Sequence, residues 1–302
     1  MENKINYFKK DIPTVLFTNI ISFLPHDQIA ICHTINVSWR KTLKSNLSKK
    51  LMLAIPIKLL PDKTIDVGFR AVNILKIKDD VFVSGYDKIC KFDIENSKLI
   101  NNHKNISYEN TICSNLNYIC KSQQFPNLDI HIYTLDMELI GKISLNSCFL
   151  DVKIDEKNNI LVSTHNQFYI YNVNGCIIKQ WNLFDNCGVL RRIASYKNEI
   201  YMTETYLGRV DVFSYEGKKV RTWNYNDKSE TDCPSCIIVC QDIVFVNFFD
   251  KIKAFTRQGK YIFKYILNEI NFVHSILFVD NFIYTLTRCE KSKITMLKLI
   301  WD

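Results

Sequence analysis

Glycine and proline are scarce in this chain, with 8 and 6 copies among 302 residues. The glycines are dispersed, which excludes a Gly-rich loop of the kind that cradles phosphates in nucleotide-binding folds. No apolar run is long enough to span a bilayer, and Met1–Lys10 lacks the apolar stretch of a signal peptide, so no membrane is expected. The 11 cysteines are odd in number and scattered through a chain too long to need disulfide staples. They read as reduced thiols of a cytoplasmic or nuclear protein. The six histidines are His26, His33, His103, His131, His165 and His274. None sits in a recognisable pattern with a nucleophile and a carboxylate, and the expectation is a protein without enzymatic activity, cofactor or metal.

What is present is an ordinary globular balance, 47% hydrophobic and 23% charged. The formal charge of +8 is unevenly placed. Residues 1–50 hold eight Lys and Arg against three acidic residues, whereas the rest of the chain holds 31 against 28. A phosphate-binding face needs clustered basic residues, so nucleic acid is not the expected partner of the larger part.

Two periodicities divide the chain. From Asp11 to Lys50 the punctuation is helical. Asp11 can cap an N-terminus and Pro13 suits a first helical turn. Leu16, Phe17, Ile20, Ile21, Phe23 and Leu24 then fall on one arc of about 160°, wider than the stripe one neighbour needs. Pro25 ends this helix, and two shorter ones follow, the last from about Trp39 to Leu47. Beyond Lys50 short alternating runs repeat. One strand recurs as Ile89–Phe92, Ile130–Tyr133, Phe168–Tyr171, Val210–Phe213, Ile252–Phe255 and Ile294–Leu297, its last residues spaced 41, 38, 42, 42 and 42 apart. Hairpin signals follow at Asn174-Gly175, Glu216-Gly217 and Gln258-Gly259. Six such units predict a mainly β protein, a six-bladed β-propeller over residues 51–302 behind a three-helix module over residues 1–50. The last unit stops short of a fourth strand, so a segment of residues 51–69, either 51–60 or 64–69, is expected to serve as linker and ring-closing strand.

The order from Ile12-Pro13 through Ile20-Ile21 and Leu24-Pro25 to Val37-Ser38-Trp39-Arg40 resembles the F-box. The likeness covers about an eighth of the chain, with Ile12 in place of the usual Leu and fewer residues between Val-Ser and Trp39. The resemblance implies docking to the Skp-type adaptor of a cullin–RING ubiquitin ligase. Ile12, Pro13, Leu16, Ile20, Ile21, Leu24 and Trp39 would carry that contact, and the propeller would hold an unknown target protein. The repeats resemble NHL-like or WD-like blades in spacing and strand pattern only. If the helices merely cap the propeller, the chain is a propeller scaffold or an RNA-binding module. A hydrolase or lyase would need metal or clustered acid–base groups in the central channel.

Three local features complete the reading. Arg191 stands in the register of Leu75, Val152, Ile237 and Ile276, so Arg191-Arg192 is the candidate target contact. Cys233-Pro-Ser-Cys236 with Cys240 is half of a zinc set without a second pair. Cys148, Cys187 and Cys233 each precede an apolar strand position (Ile154, Ile193, Val239) by six residues and read as small packing residues recurring at one blade position. Trp181 and Trp223, at matching positions, read as packing rather than as a binding platform.

Overall fold

A computed structural model describes residues 56–301 apart from 78–79, 86–87, 94–95, 97, 105–111, 116, 124–127, 137, 184–190, 206, 226–232, 249, 268–272, 280–281 and 288–291. The expected helical module, with Ile12, Pro13, Leu16, Ile20, Ile21, Leu24 and Trp39, lies outside the described residues. Residues Pro56–Ile300 form one compact unit.

The chain enters through β1 (Pro56–Asp66). Blade 1 follows as β2 (Ala71–Ile77), β3 (Asp80–Gly85), β4 (Lys88–Asp93) and β5 (Lys98–Lys104), and blade 2 as β6 (Ile112–Ser114), β7 (Tyr118–Gln123), β8 (Asp129–Thr134) and β9 (Leu139–Ser144). Blade 3 is β10 (Phe149–Ile154), β11 (Ile160–Thr164), β12 (Gln167–Tyr171) and β13 (Ile177–Asn182). Blade 4 is β14 (Ile193–Tyr196), β15 (Glu199–Glu204), β16 (Arg209–Ser214) and β17 (Lys219–Asn224). Blade 5 is β18 (Cys236–Cys240), β19 (Ile243–Asn247), β20 (Lys251–Thr256) and β21 (Tyr261–Ile266), and blade 6 begins with β22 (Val273–Val279), β23 (Phe282–Thr287) and β24 (Lys293–Trp301). Blades 1 to 5 are four-stranded antiparallel meanders, and the fourth strand of blade 6 is β1. The fold is a six-bladed β-propeller.

Burial follows the position of a strand within its blade. Every residue of β11 and β19 is buried, because these strands lie between neighbouring blades on both faces. The outer strand β13 has one half-buried residue and is otherwise exposed. Lysines such as Lys179 and Lys219 on outer strands blunt the open edges against pairing with another chain. Apolar cores form between blades rather than at one centre. Ile74, Val81 and Phe92 of blade 1 pack on Tyr284, Leu286 and Met296 of blade 6, and Val210 and Val212 of blade 4 pack on Ile237, Val244 and Phe255 of blade 5.

Ring closure explains two of the few prolines. Pro56 and Pro61 lie in β1, an edge strand, where a missing N–H costs no inner ladder bond. Beyond β1 the chain is clasped to the last hairpin. Val67 N–H donates to the Ser292 carbonyl at 2.9 Å, Ser292 N–H donates to Phe69 O at 3.2 Å, and Ala71 N–H donates to Ser292 Oγ at 2.8 Å.

Blades 4 and 5 are also joined by charge. Arg221 grips Glu199 with two bonds, Nη1 to Oε1 at 2.7 Å and Nη2 to Oε2 at 2.6 Å. Arg257, in the turn after β20, donates Nη2 to Glu199 Oε2 at 2.6 Å, and Tyr201 Oη donates to the same oxygen at 2.6 Å. Burial alone would lift the Glu199 carboxyl, but the bonds from Arg221, Tyr201 and Arg257 hold it down to about 2, against 4.5 for a free glutamate. A carboxyl depressed on folding contributes its stability above the unfolded value and loses it as pH falls through the folded one. The melting temperature of the protein is therefore expected to fall between about pH 4.5 and 2, and less steeply in Glu199→Gln. Equal slopes in a pH series of thermal melts would refute this.

Candidate functional site

The first strand of every blade faces the propeller axis. β2, β6, β10, β14, β18 and β22 together wall a cavity of about 260 Å³, the central channel. Strand pairing defines its levels. The recurring third-strand residues Ile89, Phe168, Val210, Ile252 and Ile294 pair with Ser84, Ser163, Thr203, Asn247 and Leu286 on the second strands. These in turn lie opposite Asn73, Asp151, Arg192, Cys236 and Ser275 on the first. Five blades thus contribute one residue each to a polar ring at one end of the channel, where a smaller cavity of about 50 Å³ is lined by the same five residues with Val72, Lys153 and Ser235.

Two residues along, the ring is Leu75, Cys113, Lys153, Ala194, Ile238 and Leu277, all lining the wider cavity. Lys153 is its only charged member. It carries no hydrogen bond or ion pair among the described residues, and its side chain shares the polar ring's cavity with Asp151 and Arg192. Burial pulls the ammonium down, but Asp151 foremost among the nearby groups raises it on balance, so Lys153 is cationic.

Most polar-ring residues are occupied in tying blades together. Asp151 accepts Val152 N–H at 3.0 Å and, from the next blade, Ile193 N–H at 2.9 Å. Ser275 Oγ donates to Asn73 Oδ1 across the blade 6 to blade 1 junction. Asn247 donates to Ser235 Oγ and, at 3.2 Å, to the Val273 carbonyl of blade 6. Arg192 also spans two blades but keeps one donor unpaired. Its Nη1 donates to the Leu150 carbonyl at 3.3 Å, while its Nε is buried without a hydrogen-bond partner.

The structure separates the two arginines that the sequence offered as one target contact. Arg191 is 2% exposed. Its Nε donates to Glu204 Oε2 at 2.9 Å and its Nη1 to the His165 carbonyl at 2.7 Å, joining blades 3 and 4. It is turned away from any surface a target could reach. It also precedes β14, and the residue in register with Val152, Ile237 and Ile276 is Ile193, with Ile74 rather than Leu75 in blade 1. Arg192 alone reaches the channel.

The cysteine reading also changes. Cys148 is exposed and Cys233 half-buried, so neither is a core packing residue, and Cys187 lies outside the described residues. The strand positions that followed them are not equivalent, since Ile193 is in register with Val152 and not with Ile154. Among the described residues no cluster of three or more His, Cys, Asp or Glu could hold a metal ion. No helix among them is long and apolar enough to cross a membrane. Trp181 stacks on Phe168 with ring centroids 4.7 Å apart, and Trp223 meets Tyr201 edge-on at 6.2 Å. Both indoles pack between blades.

No protein-family model matches the chain, and no curated protein matches it in sequence. Solved structures match its fold. Virginiamycin B lyase from Staphylococcus aureus is 14% identical with a TM-score of 0.57, covering 79% of this chain and 99% of the lyase. The β-propeller domain of Cps50 (Swd1) from Myceliophteria thermophila is 9% identical with a TM-score of 0.60, covering 80% of this chain and 100% of that domain. The WD40 β-propeller domain of Doa1 is 11% identical with a TM-score of 0.59, covering 80% of this chain and 97% of that one. At such identities the likeness is one of architecture, and function has to be argued from the residues.

Proposed function

We propose that the protein is a substrate-recognition subunit of an SCF-type cullin–RING ubiquitin ligase, performing no chemistry itself. The carrying observation is the sequence motif from Ile12-Pro13 to Trp39-Arg40, with the wide apolar arc it would form as a helix, preceding in the chain a six-bladed propeller. The F-box-like helices would hold the Skp-type adaptor through Ile12, Pro13, Leu16, Ile20, Ile21, Leu24 and Trp39. The propeller would hold a target protein, and catalysis by the ligase would follow from the raised effective concentration of that target. The basic excess of residues 1–50 would speed encounter with an acidic adaptor.

The test is a pull-down of a Skp-type adaptor by the intact protein and by its Ile12→Asp/Leu16→Asp variant. The variant is expected to bind at least about a hundredfold more weakly, since an unpaired charge in an apolar interface costs several kcal/mol and ~1.4 kcal/mol is tenfold. Its thermal unfolding should match that of the parent. Failure of the parent protein to recover any adaptor would leave only a propeller scaffold.

A further inference from the structure

The channel carries more positive charge than its own residues neutralise. Its two connected cavities are lined by Lys76, Lys153 and Arg192 against a single carboxylate, Asp151. That carboxylate is engaged by two backbone N–H groups. Lys153 has no hydrogen bond or ion pair among the described residues, and Arg192 Nε has no hydrogen-bond partner. Lys153 is half-buried and Arg192 Nε fully so, and buried donors are ordinarily satisfied, by protein, water or ligand. Lys153 and Arg192 beside one carboxylate leave a net positive charge in a narrow space, which a negative group would offset.

The walls define the rest of the ligand. Beyond the polar ring the chamber-facing residues include the aliphatic Leu75, Ala194, Ile238 and Leu277, with Lys76, Ser114 and Ser195 also in its lining. At about 260 Å³ it lies just below the usual range of drug-sized pockets, which suits a short apolar body. An inorganic anion would leave those walls unused, and a neutral apolar molecule would leave Lys153 and Arg192 uncompensated.

We propose that the central channel is a binding site for a small organic anion with an apolar body, a monocarboxylate being the simplest form. The head group sits between Lys153 and Arg192 beside the polar ring, and the body extends into the chamber. Ser235, Ser275 and Asn73 lie around the head and limit its size. The site stands independently of the ligase reading, since it uses only blade residues and needs no adaptor.

Calorimetric titration of the full-length protein with hexanoate, hexanol and inorganic phosphate tests the assignment. Hexanoate is expected to bind and to raise the melting temperature, and the other two to bind at least about tenfold more weakly, the worth of roughly one charge-assisted hydrogen bond. Lys153→Met, which places an apolar residue in an otherwise apolar ring, should fold normally and lose hexanoate affinity by a similar factor. Lys153→Arg should retain it. Equal binding of hexanoate and hexanol, binding of phosphate alone, no binding of hexanoate, or an unchanged affinity in folded Lys153→Met would each overturn the proposal.

Discussion

Replacing Arg191 by methionine is expected to destabilise the propeller by about 3–5 kcal/mol, the usual cost of removing one partner from a buried ion pair. Glu204 is 3% exposed, and the substitution leaves its carboxylate in the protein interior without the guanidinium that now lies 2.9 Å away. The His165 carbonyl loses a donor at the same time. Because His165 belongs to blade 3 and Glu204 to blade 4, the loss falls on a junction between blades. Combining Arg191→Met with Glu204→Gln removes both charges and should recover part of the loss, so that the double variant is more stable than Arg191→Met alone. Denaturant melts of the three proteins measure this directly. Arg191→Met within about 1 kcal/mol of the parent would show that the pair contributes nothing.

The second large effect is expected at Gly259. Its φ is +86°, in the left-handed region that costs an L-residue roughly 1–2 kcal/mol. A methyl group at this glycine would also fall within the indole of Trp223 from the preceding blade. Overpacking of this kind adds roughly 1–3 kcal/mol, so Gly259→Ala should lose about 2–5 kcal/mol in all. Gly68 provides the control. Its φ is +75°, but nothing lies within 4 Å of where its Cβ would be. Gly68→Ala should therefore show the backbone term alone. If both alanine variants melted together, the indole contact would not be holding the blades. Gly217 repeats the arrangement one blade earlier, where an added Cβ would meet Trp181 at 2.8 Å. Two of the eight glycines thus sit where a hairpin passes against the tryptophan of the preceding blade.

Much of the architecture was legible in sequence because a strand's alternation and a hairpin's turn residues are local. The repeated third strand is read by its burial pattern, as in Gln167–Tyr171 and Arg209–Ser214, whose middle residues alternate between neighbouring blade cores. Asn174-Gly175, Glu216-Gly217 and Gln258-Gly259 mark hairpins because each needs positive φ at the glycine. The missing strand of the last unit could be anticipated from a count of runs, and Pro56–Asp66 overlaps both stretches that could have supplied it. The channel was not legible. In β2, β10 and β22 a bulge precedes the polar-ring residue, at Ala71/Asn73, Phe149/Asp151 and Val273/Ser275. Each bulge shifts the count by one residue, which a periodic reading does not register. In blade 1 this put Leu75 where Ile74 belongs, and in blade 4 Arg191 was placed in line with aliphatic residues when Ile193, two residues on, holds that position.

The order of residues along the chain was enough to determine six blades and the turns between their strands, since each depends on neighbours close in sequence. Which cations are consumed and which are left over was decided only by closure of the ring. Arg191 and Arg192 are adjacent and chemically identical, yet one meets Glu204 inside a blade junction and the other faces the axis beside Lys153. Their partners lie 13 to 42 residues away, on strands brought together by long-range packing, and no local pattern encodes that meeting.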